Sequence, residues 1–202
     1  MTERYRPVLY NGFMDTEELE QRLEGGQETQ SFEVKAAMPW DHKSLAKDIL
    51  AMSNVRDGGT ILIGVDDVSF ARQGVDASTR NTYKIDIMRD QMTKYADPHV
   101  EFSVSFPVDR QGLTYVAIRV APFREIPVIC RKDSQDTVAG AIYYRCTNRR
   151  IESATVSNSY DMRDIITIAA MRTRQRLDEL SDSTVPTSET LRRRLDEELE
   201  GL

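Results

Sequence analysis

Cysteine and histidine are scarce in this sequence. It holds two cysteines, Cys130 and Cys146, and two histidines, His42 and His99, all far apart. No CxxC or HxxxH pair occurs, so a structural zinc site lacks its ligand spacing and no zinc is expected. Both cysteines fall in strand-like patterns and neither histidine has a recognisable partner, which leaves nucleophilic catalysis without support. The phosphate-cradling pattern GxxxxGK[ST] is also missing, and Gly58-Gly59 precedes a strand pattern rather than a helix, so no ATP is expected. No apolar run approaches the roughly 20 residues of a membrane span, and the first residues carry no apolar stretch. With the sparse thiols, this leads to the expectation of a soluble, cytoplasmic protein with no membrane partner. Positive charge is short as well. A formal net charge of −6 excludes coating nucleic acid through bulk electrostatics, so any such contact must come from a local basic patch.

What is present suits one globular domain: 202 residues, 40% hydrophobic and 30% charged. Asp15 followed by Glu18 forms a capping-box pattern, and Leu19 and Leu23 share a helical face until Gly25-Gly26 stops it. Phe32, Val34 and Ala36 alternate with Glu33 and Lys35, the period of a half-buried strand with Glu33 and Lys35 on one face. After Pro39, with Asp41 or Ser44 as N-cap, Leu45, Ala46, Ile49, Leu50 and Met52 recur at helical spacing. Asp57-Gly58-Gly59 then turns the chain into a buried strand, Thr60 to Val65, in which Gly64 signals a bulge or a close backbone approach.

Further on, Asn81 is placed to cap a helix carrying Tyr83, Ile87, Met88, Met92 and Tyr95 that ends at Asp97-Pro98. Val100 to Val108 alternates, and Asp109-Arg-Gln-Gly112 turns into a strand over Leu113 to Ala121. Short strands follow around Pro127 to Arg131 and Ala141 to Cys146. The fold class is therefore α+β, a mixed β-sheet flanked by helices, spanning residues 1–157 with the N-terminal arm. Residues 158–202 form a C-terminal helical extension with a linker near 181–187 and a leucine stripe at Leu191, Leu195, Leu199 and Leu202. That stripe is either a solvated appendage or a partner helix.

Three segments carry a family resemblance. They are Glu28 with Phe32-Glu33-Val-Lys35; Ala46 to Asn54 leading to Gly58-Gly-Thr-Ile-Leu-Ile-Gly-Val-Asp66-Asp67; and Ala141-Ile-Tyr-Tyr-Arg145-Cys-Thr-Asn148-Arg149-Arg150 to Ala154. Together they resemble the Schlafen/AlbA-like family of nucleic-acid-binding domains. Its members look like E-x-x-x-x-E-F-K, a helix ending A-x-x-N, G-G-x-L-x-I-G-V-D-D, and a closing Y-x-R-x-G-S-x-x-x-A. The resemblance covers residues from about 28 to 155. It implies a metal-dependent endoribonuclease acting on structured RNA such as tRNA, in which Glu28, Glu33 and Asp66 are catalytic and hold magnesium or manganese. The alternative it admits is a non-catalytic DNA- or RNA-binding regulator. The departures are the absence of zinc-finger ligands, Cys146 in place of the usual glycine, and one copy of a unit that larger members carry twice; a single copy implies a homodimer.

The chemistry of the residues is compatible with that activity. Carboxylates hold hard divalent ions that lower the pKa of bound water, and Lys35 on the face of Glu33 is placed to stabilise a phosphate in the transition state. Local E-x-K chemistry on a strand is similar to that of PD-(D/E)xK nucleases, although Asp66 falls outside their order. The nucleic-acid contacts would come from Arg145, Arg149, Arg150 and Lys132, with Arg131 and Arg124 near them and Tyr144 or Tyr143 stacking on an unpaired base. A structural reading stands beside it, in which Glu33 and Lys35 form ion pairs and the arginines are solvated. Either Asp66 or Asp67 faces the site, because adjacent strand residues point to opposite sides. A protein-interaction module is the third reading.

Overall fold

The structure, a computed structural model, describes residues 13–146 and 151–184. Helix α1 (Thr16–Gly25) starts where the Asp15 side chain accepts the Glu18 N–H, and ends where Gly26 adopts φ 59° as C-cap. Strand β1 (Phe32–Lys35) follows. Helix α2 (His42–Ser53) is capped by Asp41, which accepts from the Lys43 N–H and the Ser44 hydroxyl. Strand β2 (Gly59–Ile63) then lies parallel to β1, with Glu33 opposite Ile61 and Lys35 opposite Ile63. The remaining elements are α3 (Ala77–Arg80), α4 (Ile85–Thr93), β3 (Ala96–Asp97), β4 (Phe102–Ser105), β5 (Val116–Val120), β6 (Ile129–Cys130), β7 (Tyr143–Cys146), β8 (Glu152–Thr155) and α5 (Ser159–Thr184).

The four-stranded sheet has the order β1-β2-β5-β4, with β5 antiparallel to both neighbours. Period-2 alternation divides its faces. Phe32, Val34, Leu62 and Ala117 pack with Leu19 and Leu23 of α1, whereas Ile61, Ile63, Val116 and Ile118 pack with Leu45, Ile49, Leu50 and Met52 of α2. Each fully buried aliphatic side chain contributes about 1.5–3 kcal/mol of transfer free energy. This mixed sheet between helices is the α+β architecture expected from the patterning. Helix α5 joins the core through Ile168, and through Ile165 it packs with Val55 and Tyr144.

Gly64, at φ 110°, is a close approach. A Cβ there would lie 3.0 Å from the carbonyl carbon of Gly74, and the Gly64 oxygen accepts from the N–H groups of Gln73 and Gly74. Other local expectations are corrected. Asn81 is the C-cap of α3 rather than an N-cap, and α4 starts at Ile85 after Lys84, an N-cap that makes no side-chain cap bond. Two helices replace the single one because Asp76 caps α3 earlier, accepting from the Thr79 N–H. The short strands expected near 129 and 143 are present as β6, which pairs with β3, and β7, which pairs with β8. Helix α5 runs through the first part of the expected linker to Thr184, and the leucine-striped segment lies outside the described residues.

Candidate functional site

Strand alternation that sends Phe32 and Val34 toward α1 sends Glu33 and Lys35 to the α2 side, where an apolar environment would leave two charges stranded. They are neutralised there. Lys35 Nζ donates to Glu33 Oε1 at 2.7 Å and lies 3.0 Å from Oδ2 of Asp48, which α2 presents to β1. From β7, the Arg145 guanidinium completes the cluster. Its Nη1 donates to Glu33 Oε2 at 2.7 Å, and its Nη2 donates to the carbonyls of Thr29 and Phe32 at 3.0 and 3.3 Å. Nη2 also lies 3.7 Å from Glu28 Oε2. The other oxygen of Glu28 accepts the Val34 N–H at 3.1 Å, which satisfies a donor on the outer edge of β1. Gln30 ties the same loop to β7 by donating to the Tyr144 hydroxyl and the Arg145 carbonyl.

Three carboxylates, Glu28, Glu33 and Asp48, thus face two cations, Lys35 and Arg145. Burial, then the Asp48 charge, push the Glu33 carboxyl above its ordinary value, against the pull of Lys35 and Arg145. Burial alone would lower Lys35, but Asp48 and Glu33 outweigh it and hold the ammonium protonated well above the usual lysine range. The arrangement is a buried salt-bridge cluster that joins β1, α2 and β7. Around it, Arg145 Nε, Ser153 Oγ and Thr29 Oγ1 are buried with no hydrogen-bond partner among the described residues, and Ser153 lies opposite Arg145 in the β7–β8 register.

Of the residues anticipated as catalytic, the fold unites Glu28, Glu33 and Lys35 but not Asp66. Parallel pairing sets Glu33 beside Ile61, so Asp66 lies five positions further along, beyond the C-terminal end of β2. Its Oδ1 instead accepts the N–H groups of Val68 and Ser69 and the Ser69 hydroxyl, and these bonds hold its carboxyl below the usual range. Magnesium or manganese would need free hard oxygens converging on one point. Both Glu33 oxygens carry a cation, Glu28 is committed to Val34 and Arg145, Asp66 closes its own turn, and no group of three metal-ligating side chains occurs among the described residues. The donor set does not fit a shared divalent ion.

The anticipated phosphate contacts are corrected in part. Arg145 is 1% exposed and Tyr144 3%, so neither reaches a nucleic acid; Tyr144 packs on Ile165 and burial, with Asp164, pushes its hydroxyl up to about 12. Lys132 is exposed, with its ammonium 5.3 Å from the Tyr95 ring centroid. Arg149 and Arg150 lie outside the described residues. Asp48 of the salt-bridge cluster, and Asn54 outside it, carry buried roles that the sequence did not assign. Asp48 had a signal, an acid inside the apolar stripe between Leu45 and Met52. Asn54, fully buried, donates to the carbonyls of Val128 and Tyr143 and accepts the Val128 N–H, so the asparagine that ends the helix motif bolts α2 to the segments around β6 and β7.

Among solved structures, the DIP2311 protein from Corynebacterium diphtheriae is similar, with a TM-score of 0.48 and 18% identity over 72% of this chain and 27% of that chain. No curated protein matches the chain. The family described as Schlafen, AlbA_2 matches residues 28–153, more than half of the sequence and all of the segment that builds the salt-bridge cluster. The chain belongs to the Schlafen AlbA_2 family.

Proposed function

We propose that this protein is a non-catalytic nucleic-acid-binding protein. Family membership supports a nucleic-acid-related role. The observation that favours binding over metal-dependent cleavage is the occupation of both Glu33 oxygens, by Arg145 Nη1 and Lys35 Nζ, each at 2.7 Å. The endoribonuclease reading needs those oxygens on a metal shared with Glu28 and Asp66, and gaining them would strip a buried arginine of its counter-charge. Under this proposal the motif carboxylates hold the fold, and the nucleic acid is met elsewhere on the surface. A homodimer belongs to the same proposal, and light scattering checks it through the particle mass relative to the 23.1 kDa chain.

The test is incubation of the protein with tRNA and with single-stranded DNA, in manganese or in EDTA, beside Glu33→Ala and Asp66→Ala variants. We expect salt-sensitive binding without cutting. Manganese-dependent cleavage that is abolished by both substitutions would restore the endoribonuclease reading.

A further inference from the structure

Away from the salt-bridge cluster, the turn between α3 and α4 and the residue following β4 enclose an open concavity of about 370 Å³ lined by Arg80, Asn81, Tyr83, Lys84 and Phe106. Its chemistry departs from the rest of this acidic chain: two cations and no carboxylate line it. Asp76, four residues before Arg80, is spent on its own helix, accepting from the Thr79 N–H and the Ser78 hydroxyl. Phe106 is 41% exposed, and the Arg80 guanidinium lies 6.0 Å from its ring centroid. Tyr83 is a fixed wall, 4% exposed, with its hydroxyl donating to the Met38 carbonyl and Trp40 edge-on against its ring. An accessible aromatic face with two cations at its rim is the combination that stacks a base and holds the adjoining phosphates. The volume lies within the range of ligand pockets, while the open side lets a ligand continue past it, as a strand does.

We propose that this concavity is a contact site for one unpaired nucleotide of a single-stranded or looped nucleic acid, its base on Phe106 and its phosphates on Arg80 and Lys84. The inference rests on the nucleic-acid-binding reading and gives it a location that the family motifs do not supply. A base must leave its stack to reach Phe106, so single strands and loops are preferred over duplex.

The experiment is fluorescence anisotropy with short labelled oligothymidylate, oligouridylate and a duplex of equal length, for the wild type and for Phe106→Ala, Arg80→Gln/Lys84→Gln and Lys94→Gln. All substituted residues are exposed, and thermal unfolding verifies that each variant is folded. Phe106→Ala is expected to weaken single-strand binding roughly 5- to 150-fold. The double substitution is expected to weaken it and flatten its salt dependence. Lys94→Gln, at the far end of α4, is expected to bind as the wild type does. Wild-type binding that none of the substitutions changes would overturn this site and leave the nucleic-acid-binding reading standing. A wild type that binds none of the three probes would overturn both.

Discussion

Arg145 illustrates how a residue's type suggests one role and its position enforces another. A guanidinium suits phosphate recognition, but here it is 1% exposed and its donors serve Glu33 and the carbonyls of Thr29 and Phe32. Arg145→Met should therefore cost about 3–5 kcal/mol in urea unfolding, because it leaves Glu33 buried beside Asp48 with only Lys35 for compensation. Adding Glu33→Gln to that variant should recover part of the loss. The raised Glu33 pKa sets a pH dependence of definite sign. The folded state holds that proton more tightly than the unfolded chain, so the contribution is full below the ordinary value of 4.5 and is lost as pH rises through the raised value. The difference in unfolding free energy between wild type and Glu33→Gln should fall as pH increases through that window; urea titrations across it provide the check, and a flat difference would contradict the assignment. The identities of Glu28, Glu33 and Lys35 as one cluster were legible from the alternation of β1 and the resemblance. Their mutual neutralisation was not, because it depends on Asp48 and Arg145, which are 13 and 110 residues beyond Lys35.

Elements were legible where local chemistry decides them. Asp15 caps α1 as its spacing implies and Gly26 ends it, while Asp41 is the cap of α2 where the pattern admitted either Asp41 or Ser44. Between residues 77 and 97 the expected helix is found as α4, with Ile87, Met88 and Met92, but α3 was not legible, because Asp76 supplies an N-cap that competes with Asn81, and neither was β3, because a two-residue strand leaves no periodicity to detect. Glycine at 59 is fixed by the packing of elements rather than by a turn: a Cβ there would collide with the Met52 sulfur and lie 2.9 Å from the Ser31 carbonyl oxygen. Since α2 and the segment entering β1 both close on this point, Gly59→Ala should destabilise the protein by about 1–3 kcal/mol in thermal or urea unfolding. A neutral result would show that Met52 yields freely.

The molecule as a whole carries a charge of −6, which opposes long-range attraction of any polyanion. Binding must then depend on a few local contacts. If Arg80 and Lys84 are the two phosphate partners, the slope of log K against log salt for a single strand should be shallow, about −1.4. Anisotropy across a salt series measures it, and a slope several times steeper would show a basic surface larger than this concavity. No helix among the described residues is long and apolar enough to cross a membrane.

By itself the sequence determined the mixed sheet between helices, the cap of α1, the face shared by Glu33 and Lys35, and the family. Period, capping and glycine placement are local, and each leaves a trace within a few residues. Only the tertiary structure decided that β1 and β2 run parallel, which carries Asp66 away from Glu33, and that β7 brings Arg145 into the place a metal would need. It also placed Phe106, at the end of an edge strand, beside Arg80 and Lys84 of the α3–α4 turn. Those juxtapositions join positions tens of residues apart, and strand order and direction fix them without leaving a periodic signal in the chain.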